Sequence, residues 1–341
     1  MLFQTGKTSP LNLALQGGGA HGAFTWGVLD ALLEDSAFTF EGVSGTSAGA
    51  MNALCLAHGL MTGGRDGARE TLTRFWTSVA ASSPFSSGGE ANPGMAQAMK
   101  LMLQWTNHLS PEQLNPFDLN PLRDILGEQF DFARLRRDSP VRLFIAATHA
   151  NSGKLRLFRN HELSVDTLLA SACLPTIHRT IVIDGEPYWD GGYSANPAVF
   201  PLVYQCTSPD ILLVLLTPLR YTEKPVSAEE IRLRLLELSF NSTFLREMRM
   251  FAHLREEVRT SWLPKWLPGG RIEHRIGQLR FHAITADALL GDLPAGSKLT
   301  VNLPFFERLR DSGREHAQNW LHEHRGSVGK NGTLELGQLF Y

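Results

Sequence analysis

Apolar positions along the chain follow two rhythms. Short runs, continuous or alternating, occupy residues 11–15, 38–43, 141–148, 154–158, 180–184, 211–216 and 280–285, and the longest reads ILLVLL. Runs of this length, bounded by glycine and polar residues, predict strands. Between them apolar positions recur every three or four residues, which predicts helices over 20–34, 48–60, 69–79, 228–260 and 304–324. Phe24, Val28 and Leu32 mark the apolar face of the first. Two strand–glycine turn–helix units at the start of the chain indicate an α/β sheet with crossover helices. No internal repeat and no linker breaks the pattern.

Composition narrows the classes. A chain of 341 residues can build an ample core, and 43% hydrophobic with 19% charged residues describes a folded globular protein. The net charge of −2, with no basic block, gives no footprint for nucleic acid. No apolar run approaches the roughly 20 residues of a membrane span. The opening MLFQTGKTSPLNLAL lacks the charged-then-apolar pattern of a secretory signal. Cys55, Cys173 and Cys206 are odd in number and lie in apolar contexts, so reduced, buried thiols and a cytoplasmic location are expected. No CxxC or HExxH spacing points to a metal, and no cofactor is expected.

Three short motifs change the picture. LNLALQGGGAHGAF (11–24) sets Gly17, Gly18, Gly19 and Gly22 between a strand and a helix, where a tight turn or the close approach of another group requires a missing Cβ. GTSAG (45–49) fits G-x-S-x-G in the same setting. Gly45 and Gly49 let that turn tighten until Ser47 Oγ projects from the sheet edge as a nucleophile. A serine attacking an ester creates an oxyanion, and the free amides of the first motif, at a helix start, suit it. YWDGGYSANP (188–197) places Asp190 before Gly191 and Gly192, beside aromatic residues able to bury a carboxylate. Each motif also has a bland reading, as a capped glycine turn or an ordinary turn aspartate. With twelve histidines a Ser–His–Asp triad stays open, and His282 and His316 follow Ser47 in the right order.

Taken together and in this order, the motifs resemble the patatin-like phospholipase family. The resemblance runs through GTSAGAMNAL and ASACLPTIHRTIVIDGEPYWDGGYSANPA and covers residues 11–217; SKLTVNLPFFERLRDSGREHAQNWL also looks like the end of bacterial members. It implies a three-layer α/β/α sandwich with a mainly parallel central sheet. It implies a serine acyl-ester hydrolase of the phospholipase or lipase type, in which Ser47 is the nucleophile and Asp190 the base of a dyad. The amides of Gly18 and Gly19 would form the oxyanion hole, supported by Gly17, Gly22, Gly45, Gly49, Gly191 and Gly192. On this basis residues 8–217 are expected to form the catalytic core, with a lid-like insertion at 82–118. Residues 218–341 would be a mainly helical extension packed on it. Two positions depart from the family pattern. His21 stands where many members carry Arg or Lys, and is read as loop-orienting or substrate-facing; Gly192 stands where alanine is commoner.

Two rival readings remain. Gly17-x-Gly19-x-x-Gly22, with Glu41 downstream, also fits a dinucleotide-binding fingerprint. A non-catalytic lipid-binding protein is the other, though it would not need Ser47 and Asp190 together. A lipid or acyl-ester substrate puts the site at an interface, so transient contact with a membrane surface is expected. Met95, Met99, Met102, Leu103 and Trp105 are candidates for that contact, as are Trp262 and Trp266 beside Lys265 in SWLPKWLP.

Overall fold

A computed structural model of the chain describes residues 8–82, 110–115, 117–221, 224–260, 271–286, 290, 293 and 295–341. Among them eight strands form one sheet: β1 (Ser9–Leu15), β2 (Phe38–Thr46), β3 (Arg142–His149), β4 (Leu155–Arg159), β5 (Ile181–Ile183), β6 (Glu186–Asp190), β7 (Asp210–Leu215) and β8 (Arg280–Thr285). Five of them, in the spatial order β3-β2-β1-β7-β8, run parallel. Side-chain alternation explains their apolar runs. Leu11, Leu13 and Leu15 of β1, with Leu212 and Val214 of β7, enter one apolar cluster, whereas Ala14, Ile211, Leu213 and Leu215 enter a second. A strand that is apolar at both parities must be covered on both faces.

The helices supply that cover. Helices α1 (Gly22–Glu34), α2 (Ala48–Ala81) and α3 (Val165–Ser171) line the first cluster with Phe24, Leu54 and Leu168. The long α4 (Ala228–Thr260) lines the second with Phe244, Met248 and Phe251. The last long helix, α5 (Leu303–His324), adds Phe306 and Leu309 to the first. The result is the layered, mostly parallel α/β architecture that the pattern predicts. Helix α2 consists of two arms about a bend at Gly63 and Gly64, where Gly64 has φ +64°, in keeping with the separate runs at 48–60 and 69–79. Residues beyond 217 enter all three layers, since β8 lies beside β7, α4 covers one face and α5 the other.

At one edge the parallel order gives way. β3 pairs antiparallel with β4 along residues 144–148. Its other edge is shared: β2 occupies it up to the pair Thr46–Ala146, and β6 continues it, antiparallel, from Asp190–Ala147. β2 and β6 therefore meet end to end. The hairpin that delivers β6 turns on Asp184 and Gly185, with φ of +52° and +80°, as a two-residue hairpin turn requires. β6 was not expected as a strand, because EPYWD contains a proline and does not alternate; the Asp-Gly pair ahead of it was the available signal. β2 runs on to Thr46 rather than stopping at 43, because Ser44, Gly45 and Thr46 still pair with Phe144, Ile145 and Ala146.

Met95, Met99, Met102, Leu103, Trp105, Trp262, Lys265 and Trp266 lie outside the described residues, as does most of the 82–118 segment. Among the described residues no helix is long and apolar enough to cross a membrane.

Candidate active site

Ser47 follows the last residue of β2 and precedes the first of α2. It adopts φ +53°, ψ −122°, a left-handed conformation that costs a non-glycine residue roughly 1–3 kcal/mol and persists only where its surroundings enforce it. The two motif glycines allow that geometry. A Cβ on Gly45 would lie 2.5 Å from the Gly49 carbonyl oxygen, and one on Gly49 would strike the carbonyl of Leu15. The Ser47 N–H donates to Ser171 Oγ at 3.0 Å, and its carbonyl accepts from Ala50 and Met51, starting α2. Thr46 Oγ1 donates to the Ala195 carbonyl at 2.8 Å, tying the elbow to the loop after Asp190.

Asp190 ends β6 where that strand abuts β2, so the sheet itself brings it to Ser47. Its side chain is only 1% exposed. Oδ1 accepts from the Gly192 N–H at 2.7 Å. Burial pushes the carboxyl up to about 7 from an ordinary value near 3.8, against the opposing pull of the Gly192 N–H and of the Ser47 side chain. The rings expected to bury it are engaged elsewhere. Trp189 Nε1 donates to Thr180 Oγ1 at 3.0 Å, and Tyr188 packs edge-on against Phe158 and His149. Part of the enclosure comes from α4 instead, because Phe240 lies against Gly192 so closely that an alanine Cβ would collide with its ring. The departure from the family pattern at Gly192 thus has a local steric cause.

The glycine loop closes over the same point. A Cβ on Gly17 would lie 2.6 Å from the Thr46 carbonyl oxygen and 2.8 Å from Ser47 Cβ. Gly17 donates its N–H to Asn196 Oδ1 at 2.7 Å, and Asn196 Nδ2 donates back to the Gly17 carbonyl at 3.4 Å. Gly19 has φ +57°, with the Lys298 carbonyl where a side chain would go. Among the described residues no acceptor takes the N–H of Gly18 or of Gly19. A Cβ on Gly22, the first residue of α1, would lie 2.5 Å from Ala48 Cβ, the first residue of α2. Two helix N-termini thereby flank the loop, and both favour negative charge. Beneath it Gln16 Oε1 accepts from Leu216 and Thr217, fixing the end of β1 against the segment after β7.

His21 is buried and hydrogen-bonded through Nε2 to Ser297 Oγ at 2.7 Å. Burial, aided by nearby Lys298, pushes its pKa down to about 4, so the ring is neutral near pH 7. The other rival candidates lie away from Ser47. His282 bonds Asp210 at the start of β7 and Thr333, on the opposite edge of the sheet. His316 on α5 bonds the Ser312 carbonyl and meets Phe24 edge-on. Glu41, near the start of β2, accepts from the N–H groups of Thr207 and Ser208, so its carboxylate is committed to the turn that leads into β7.

Ser171, Asn196, Gln16 and Phe240 complete this site and went unremarked in the sequence. Gln16, Ser171 and Asn196 lie within or beside the quoted motif stretches, but nothing in their spacing marked a role; Phe240 reaches the site from a distant part of the chain.

Residues 13–203, more than half of the chain, match the family model described as Patatin-like phospholipase. The chain also resembles a solved structure described as VipD from Legionella pneumophila, with TM-score 0.42, 17% identity, and coverage of 93% of this chain and 67% of that one. Comparison with curated proteins gives no match.

Proposed function

The chain belongs to the patatin-like phospholipase family, and from that premise we propose that Ser47 and Asp190 hydrolyse a lipid acyl ester as a two-residue catalytic unit. The observation that carries this reading is the end-to-end meeting of β2 and β6, which sets a strained serine against a buried, weakly acidic carboxyl. In the first step Ser47 Oγ attacks the ester carbonyl carbon while Asp190 accepts the hydroxyl proton. The carbonyl electron pair moves onto oxygen, where the N–H groups of Gly18 and Gly19 receive it. Each such donor is worth about 2.7–4 kcal/mol of transition-state stabilisation. Collapse of this intermediate expels the alcohol, which takes the proton from Asp190 and leaves an acyl-serine. In the second step Asp190 deprotonates a water that attacks the acyl carbon, and the acid departs as Ser47 is regenerated.

An ordinary aspartate is a poor base toward a serine hydroxyl. A carboxyl raised to about 7 is matched to proton transfer near neutral pH. His21, neutral and held by Ser297, orients the loop in this scheme and takes no proton. A fluorophosphonate probe tests the assignment. Wild type should be labelled at Ser47 alone and Ser47→Ala not at all, with esterase activity lost in step. Labelling that survives in Ser47→Ala refutes it.

A further inference from the structure

Helix α4 is 33 residues long, about 50 Å at 1.5 Å per residue. Its later turns are packed, with Phe251 against Phe281 of β8 and Phe244 against Phe340. Phe240 meets Tyr193 at a ring separation of 4.6 Å, beside Gly192 and therefore at the edge that holds Ser47 and Asp190. The preceding part of the helix, residues 228–239, runs on for about 18 Å beyond that contact. Every described residue from Ala228 to Arg232 is exposed.

The overhang has two unlike flanks. The inner one is tied down by polar contacts: Glu237 accepts from Tyr221 Oη at 2.7 Å and from Lys298 Nζ at 2.9 Å, and the Arg234 guanidinium stacks 3.4 Å from the Tyr221 ring centre. Lys298 is also the residue whose carbonyl abuts Gly19, so the helix is keyed to both loops of the site. The outer flank is aliphatic. Ile231, Leu235 and Leu238 are 44%, 62% and 50% exposed at the spacing of one helix stripe, with Leu236 beside them at 49%.

We propose that this outer flank is a lipid-docking surface that inserts Ile231, Leu235 and Leu238 into the acyl region of a zwitterionic lipid surface and presents the site to it. The proposal rests on the lipid-hydrolase reading of Ser47 and Asp190 for its biological purpose. Charge argues for the occupant, since apart from the engaged Arg234 and Glu237 of the inner flank residues 224–240 hold two basic residues (Lys224, Arg232) and two acidic ones (Glu229, Glu230). A balanced surface selects lipid by apolar insertion rather than by an anionic headgroup. A second copy of the chain is disfavoured by size: a stable dimer buries roughly 800 Å² per partner, more than one stripe of half-exposed aliphatic side chains supplies. Interfacial helices bind lipid with no more than such a stripe.

The test is cosedimentation with phosphatidylcholine vesicles, run with wild type, L235E/L238E and L235W. The charged pair should lower the bound fraction at least about tenfold without lowering the melting temperature, and the tryptophan should raise it. Wild-type binding should not weaken between about 0.1 and 0.5 M salt, where exposed charge interactions are screened. Equal binding by L235E/L238E and wild type, or no binding by wild type, overturns the proposal. So does a self-association that the charged pair abolishes, which would give the flank to a second copy. Hydrolysis of a short soluble ester by wild type is scored separately. If it is absent while vesicle binding still depends on Leu235 and Leu238, the docking surface stands and the hydrolase reading falls.

Discussion

In the proposed mechanism the Asp190 carboxyl serves the reaction at the expense of the fold, and the two effects can be separated by pH. In the unfolded chain an aspartate ionises near pH 3.9, whereas burial holds this one protonated up to about 7 in the native protein. Between those values the native state binds the extra proton, so stability falls as pH rises through the window and levels off above it. The full difference is on the order of 4 kcal/mol at most. Asp190→Asn removes the charge and keeps an oxygen for the Gly192 N–H. It should therefore be more stable than wild type in urea by roughly 2–4 kcal/mol at pH 8, with little difference near pH 4. Its turnover should drop by about 10²–10⁴, and the wild-type rate should climb through about pH 7. A rising limb near pH 4 would show that burial does not tune the group. Ser47, Asp190 and the glycines were legible because the residues beside them in sequence build their turns. Ser171 and Asn196 were not, because they reach Ser47 and Gly17 by hydrogen bonds spanning 124 and 179 positions, and spacing carries no trace of that.

Among the elements, α4 meets the loop that follows β6 through Phe240, which packs on Gly192 and Tyr193. Gly192 has room for no Cβ because the Phe240 ring occupies it. Gly192→Ala should overpack that contact at a cost of roughly 1–3 kcal/mol and lower turnover by shifting the Asp190 loop. Phe240→Ala in the same chain should restore much of both losses, measured as a coupling energy in a double-mutant cycle. Additive effects would mean that the helix does not hold the loop. The long apolar periods of α1, α4 and α5 were readable in advance, since each is set by burial against the sheet or a neighbouring helix. The short helix α3 was not, although its start carries a reciprocal cap between Ser164 and Thr167. At seven residues its periodicity is too brief to register.

For the molecule as a whole, the question is whether the part that carries the motifs can stand alone. A chain ending at residue 217 would lack β8, α4 and α5. Ile211, Leu213 and Leu215 would lose the cover of Phe244, Met248 and Phe251. Helix α1 would lose a partner packed so tightly that a Cβ on Gly27 would meet the Arg310 backbone, and the Asp30 carboxylate would lose its ion pair with Arg314. We expect this fragment to show no cooperative thermal transition and to bind a hydrophobic dye. A soluble fragment with a sharp melt would establish residues 8–217 as an autonomous core. The pairing of Asn12 with Ile211 carries a consequence for how the protein is made. β1 leaves the ribosome well ahead of β7, its partner on one side, which follows almost 200 positions later. At about 5–20 residues per second that edge waits some 10–40 s, with apolar side chains on both faces and unpaired amides along its length. The strand that joins β2 to β7 in the finished sheet is the one whose second edge stays open longest during synthesis.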